Sequence, residues 1–183
     1  MTLALLTFFV SAVCALALLF LGLADWFRDD FTFWPPPEKG SWQDRTFIWL
    51  FRGMLYSLII LSIREFSLAD RSTWSLICGV ILLVAGFGTA IASTLNLGWK
   101  NAFGDKQGLV TNGWFAHSRN PVYLVSWIGM IGWAILVPGI LVWIILRLWA
   151  LMYLLAVCLE ERWLERVYGE EFRAYKAKVG RFV

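Results

Sequence analysis

Residues 122–159 read VYLVSWIGMIGWAILVPGILVWIILRLWALMYLLAVCL, and only Arg147 among these 38 positions carries a charge. Drawn out as one α-helix the stretch would measure about 57 Å, nearly twice the ~30 Å thickness of a bilayer's hydrocarbon. It therefore has to turn back. Pro138-Gly139 sits near its middle, a helix breaker followed by a residue that turns freely, so the spacing predicts a tight hairpin of two helices, Val122–Val137 and Ile140–Leu159. Three further apolar runs precede it: Leu3 to Ala24, Thr46 to Ile63 and Trp74 to Leu95. The first is uncharged, follows no Lys or Arg and, at 22 residues, exceeds a signal-peptide core, so it reads as a retained span. The second is marked by Arg52, whose long stem lets it snorkel outward. The fold class is an all-α integral membrane protein with five transmembrane helices.

Composition agrees. Of 183 residues 60% are apolar and 16% charged, with 12 Trp, 14 Phe and 5 Tyr, and the mean hydropathy is +0.67. Such values exclude a water-soluble domain and suit lipid with aromatic side chains at headgroup depth. A net charge of +3 is too small and scattered for nucleic-acid binding by counterion release. Cys14, Cys78 and Cys158 stand alone in apolar runs and read as small core hydrophobes, with no spacing for a disulfide framework or a metal. Lys and Arg number three in segment 25–45, two in 64–73, three in 96–121 and six in 160–183. With five spans this sets twelve against two across the membrane, which predicts the N-terminus outside and the C-terminus in the cytoplasm. The expected location is the inner membrane of a bacterial or archaeal cell. Arg147, roughly 10 Å past the hairpin turn, is a candidate either for a cavity or for a snorkelling side chain. Loop 25–45, with its Trp and three prolines, is expected at the interface.

Two polar stretches share the cytoplasmic face. LNLGWKNAFGDKQGLVTNGWFAHSRNPVY (95–123) is punctuated by Gly98, Gly104, Gly108 and Gly113 and is too long for a mere connector. LEERWLERVYGEEFRAYKAKVGRF (159–182) extends the last span as an amphipathic helix expected to end near Gly169. At the start of the second stand Glu160 and Glu161, adjacent acids at a cytoplasmic exit where basic residues are the rule.

These two stretches resemble the motifs of the isoprenylcysteine carboxyl methyltransferase and phospholipid methyltransferase superfamily. Residues 107–123, QGLVTNGWFAHSRNPVY, are similar to its "LVTxGxYxxxRHPxY" signature, and 160–182 to its "EE…FGEEYxxYxxxVxRF" tail. The resemblance implies an enzyme using S-adenosyl-L-methionine, with three N-terminal transmembrane helices (1–95) before a methyltransferase core (96–183) and a cytoplasmic cofactor pocket. Carried over by position, Gln107, Gly108, Leu109, Val110, Phe115, Asn120, Pro121, Val122 and Tyr123 would line the cofactor. Glu160 would anchor its polar end. The methyl acceptor would be a small lipophilic molecule or a lipid reached through the membrane. No residue is singled out as catalytic, since in-line displacement at an activated methyl group needs chiefly positioning. Asn120 replaces the motif's His, which leaves hydrogen bonding but removes proton transfer. Phe115 replaces a Tyr. Ala156 stands where prenylcysteine-modifying members carry an Arg, which argues against methylation of prenylated proteins. His117 falls at a variable position and is assigned to surface or packing, Arg119 to bracing the loop, and Arg173, Tyr175 and Arg181 to a structural lock. Two other functions remain open: an NADPH-dependent reductase of the sterol reductase type, and a non-catalytic membrane binding or assembly factor.

Overall fold

The computed structural model describes residues 3–102 and 107–183; Gly104, named above, and one of the lysines counted in segment 96–121, Lys106, lie outside the described residues. The described residues form helices joined by loops, with no strand among them: α1 (Leu3–Phe27), α2 (Trp42–Leu68), α3 (Thr73–Leu97), the short α4 (Trp99–Ala102), a 3-10 turn (Gly113–Ala116), α5 (Pro121–Leu136) and α6 (Ile140–Lys176). By length and composition α1, α2, α3 and α6 can each cross a bilayer. α5 is apolar and has 16 residues, about 24 Å, the same length as the first hairpin arm read from the sequence, so the five helices are four long ones and a shorter one.

α2 extends well beyond the 46–63 run because its ends are polar. Ser41 caps it, accepting a hydrogen bond from the Asp44 N–H at 3.3 Å. Ser72 caps α3 in the same way, accepting from Ser75 N–H at 3.1 Å. α5 starts on Pro121, whose missing N–H costs nothing in a first turn. α6 breaks at Gly169, where φ is +50°, and then runs on to Lys176. The break is where the sequence put the helix end; the extra turns form because Phe172 is fully buried and draws the chain back onto the bundle.

The hairpin is less tight than expected. α5 packs chiefly on α3, while α6 packs on α1. Glycines make the first contact: a Cβ at Gly86 would lie 2.2 Å from the Gly129 nitrogen, and one at Gly132 would lie 2.3 Å from the Leu83 nitrogen. Large rings make the gap between the arms. Trp149 of α6 has Phe51, Phe87, Trp133 and Tyr153 around it, with ring centroids 5.7, 6.0, 6.3 and 5.7 Å away. This cluster props α2, α3, α5 and α6 apart, and beyond it the bundle is hollow. At the far end Arg71 closes the turns, donating to the last carbonyl of α5, Leu136, at 2.6 Å and to Phe66 O. Cys78 is exposed on α3 rather than in the core, since the inward positions of that helix are taken by its glycines and Leu76 and Leu83. Arg147 is exposed on α6, away from the hollow, which leaves it the snorkelling role.

The α3–α5 seam gives a clean test. Gly86→Ala should lower the thermal stability of the detergent-solubilised protein by an amount equivalent to about 3 kcal/mol. Gly88→Ala, two residues along with nothing within 4 Å of the added methyl, should leave it unchanged.

Candidate functional site

The site is organised by two adjacent glutamates that a helix turns about 100° apart. Glu161 is 5% exposed and accepts bonds on both oxygens. Oε1 receives Arg119 Nε at 3.1 Å and Asn120 Nδ2 at 3.0 Å, and Oε2 receives Arg181 Nε at 3.1 Å and Nη2 at 2.8 Å. The Arg181 guanidinium is held above its ordinary range, first by that hydrogen bond to Glu161. Arg119 also donates to the carbonyls of Lys176 (3.2 Å) and Val179 (2.6 Å), and its backbone N–H to Gly180 O (3.0 Å). Tyr175 Oη donates to Phe115 O at 2.6 Å. The loop before α5 and the tail after α6 are thus sewn together over one carboxylate.

Glu160 points the other way, into the bundle. Its Oε1 accepts Trp34 Nε1 at 2.7 Å and the hydroxyl of Tyr123. Trp34 belongs to loop 25–45, which the sequence placed at the interface. Within it Phe33 and Trp34 are buried, because Asp25 at the end of α1 accepts both of their backbone N–H groups, at 2.6 and 2.8 Å. Arg162 of α6 anchors the same corner through the carbonyls of Trp26 (3.1 Å) and Asp25 (3.3 Å). Burial is explained by this local satisfaction: once Asp25 and Glu160 take the polar hydrogens, the rings can enter the core.

Above Glu160 lies a cavity of about 410 Å³. Nine of the ten residues assigned by resemblance border it: Gly108, Leu109, Val110, Phe115, Asn120, Pro121, Val122, Tyr123 and Glu160. Gln107 does not; it is exposed, and its backbone N–H is held by Asn101 Oδ1 at 3.0 Å. The remaining wall comes from residues that sequence reasoning missed: Trp34 and Pro35, then Phe47, Ile48, Phe51 and Arg52 of α2, Thr94 and Leu97 of α3, and Trp163, Leu164 and Tyr168 of α6. The N-terminal helices therefore supply one side of the site. The apolar residues 163, 164, 167 and 168 at helical spacing were the one available signal for the α6 contribution. His117 is exposed, and Arg173 pairs with Glu170 on the surface, outside the lock that Tyr175 and Arg181 form.

Asn120 precedes the first turn of α5 yet makes no side-chain cap. Its amide is spent on Glu161 and on Arg181 O (3.2 Å), so the early N–H groups of α5 are left without a side-chain acceptor beside the cavity. The cavity combines aromatic walls, a carboxylate with a phenol on its floor, and an uncapped helix start. Among the described residues no group of acids, cysteines and histidines could hold a metal.

Among the described residues the fold is all-helical, an integral membrane protein with a cavity at one end of its bundle. A family model described as Phospholipid methyltransferase matches residues 74–171, more than half of the chain, and the chain belongs to that family of integral membrane methyltransferases. Comparison with curated proteins and with solved structures found no match.

Removing the shared carboxylate should unstitch the lid. Glu161→Ala leaves the nearly buried Arg119 without its counter-ion and is expected to cost about 3 kcal/mol. Limited trypsin digestion should then cut at Lys176 and Lys178 well before the rest of the chain, whereas the wild type resists there.

Proposed function

We propose that the protein transfers a methyl group from S-adenosyl-L-methionine to a small lipophilic or lipid-attached acceptor at the cytoplasmic membrane face. One observation carries this reading: the two motif-bearing segments, far apart in sequence, close a single cavity with a hydrogen-bonded carboxylate at its floor. Its volume of about 410 Å³ falls within the ~300–1,000 Å³ range of small-molecule sites.

The residues suit each part of such a cofactor. Phe115, Trp163 and Tyr168 offer aromatic surface to a purine. Glu160 offers an acceptor to an ammonium or to ribose hydroxyls, and a charge-assisted bond there is stronger than a neutral one. The uncapped N–H groups at the start of α5 suit a carboxylate. The cofactor supplies a methyl group already activated for in-line displacement, so the protein's part is to position the acceptor and exclude water. The sewn loop and tail do the excluding, since they cover the cavity with Phe115 and Tyr175. The excess of Lys and Arg on the loops at this end of the bundle supports a cytoplasmic placement, with the N-terminus outside.

Isothermal titration of the folded, detergent-solubilised chain with S-adenosyl-L-methionine tests the cofactor. Binding is expected, and Glu160→Gln or Asn120→Ala should weaken it by about tenfold. Absence of binding by wild-type protein with an intact thermal transition overturns the reading. Incubation with a lipid extract and a radiolabelled methyl group then identifies the acceptor by its mass.

A further inference from the structure

Loop 25–45 reaches the floor of the cavity through one atom. Trp34 lies outside the matched region 74–171, yet its indole Nε1 donates to Glu160 Oε1 at 2.7 Å. Three contacts hold the indole in place. Asp25, 1% exposed, accepts the backbone N–H of Trp34 at 2.8 Å, and the Phe47 ring lies against the indole with centroids 4.2 Å apart. Arg162 in turn donates to the Asp25 carbonyl at 3.3 Å. Since Arg162 stands two residues after Glu160 on α6, the helix that carries the carboxylate also fixes the corner that carries its donor.

The Glu160 side chain is thereby given one orientation. Oε1 takes two donors, Trp34 from the first loop and the Tyr123 hydroxyl from α5, which fills its two lone pairs. Oε2 accepts no bond among the described residues, yet it is not one of the buried atoms left without a partner, so it reaches the open space of the cavity. A glutamate has three side-chain torsions, and freezing such a chain costs up to about 2 kcal/mol. Here that ordering is complete before a ligand arrives, which strengthens binding by preorganisation rather than by a new contact.

We propose that Trp34 is a positioning residue for ligand binding: its indole N–H pins Oε1 of Glu160 so that Oε2 is the one oxygen of that carboxylate left for a ligand's donor. A loop outside the matched region is then required by the acid inside it. The proposal rests on the methyl-transfer reading only for the identity of the ligand.

The test uses the full chain in detergent micelles. With the indole nitrogens isotopically labelled for magnetic resonance, Trp34→Phe identifies the Trp34 signal by its loss. In Glu160→Ala that signal should move upfield as the carboxylate acceptor disappears, while the signal of Trp49, an exposed tryptophan of α2, stays in place. A Trp34 signal that does not move overturns the proposal. Titration with S-adenosyl-L-methionine follows. Trp34→Phe, which keeps a ring and loses the N–H, should weaken binding by about tenfold. Trp34→His should recover part of the loss, because imidazole Nε2 takes the place of indole Nε1 on the same five-membered ring. In Glu160→Ala, adding Trp34→Phe should weaken binding no further, since a residue that acts through Glu160 has nothing left to position. Trp49→Phe should bind as the wild type does. Additive losses in the double variant would make Trp34 a direct ligand contact or a structural prop and overturn the proposal, as would undiminished binding in Trp34→Phe. A wild type whose Trp34 signal answers to Glu160 but which binds no cofactor would support the pinning and defeat the methyl-transfer reading alone.

Discussion

A carboxylate with four hydrogen bonds holds this site together. Glu161 is buried, and burying an unpaired carboxylate is costly enough that the arrangement stands only when both oxygens are saturated. The donors come from two segments, Arg119 and Asn120 before α5 and Arg181 after α6. Neither segment can leave without stranding charge, so loop and tail close as a unit. Arg119 also donates to the carbonyls of Lys176 and Val179, which ties the tail to the loop at two further points. Closure over the cavity is thus an electrostatic requirement of one helix position rather than a sum of weak surface contacts.

Packing decides where the hollow lies. Small residues bring α3 and α5 together at backbone distance, and large rings hold α6 away from α5. Such a bundle fills with Trp149 and its neighbours at one level and leaves space at the next, between the Tyr123–Tyr153 pair and the loop. The chemistry of the floor follows from the same geometry, since a helix that directs Glu161 toward the loop must direct its neighbour Glu160 elsewhere. Trp34 and Tyr123 meet it there. Phospholipid methyltransferase membership fits this architecture, with the matched region running from the start of α3 to just past the break at Gly169.

Much of this was legible in residues alone. Apolar length and Pro138-Gly139 give the helices and their turn, and the motif segments name most of the cavity lining on one side. Arg119 was readable as a brace because an arginine in a loop opposite two acids needs a partner. Legibility failed where polarity was read without its partner. Charge and prolines in loop 25–45 gave no sign that Phe33 and Trp34 are turned inward, which happens because Asp25 takes two backbone hydrogens. Gln107 shares a motif with the cavity lining but is turned outward by Asn101.

Hydrophobic length, helix breaks and the sidedness of charge are properties of consecutive residues, and the sequence by itself determined the helical membrane fold and the two polar segments that border the cavity. Which acid faces the cavity and which aromatic from the first loop meets it were decided only by tertiary structure. The reason is that a buried charge is satisfied by whichever donor the packing brings near, and Trp34 and Glu160 stand 126 residues apart.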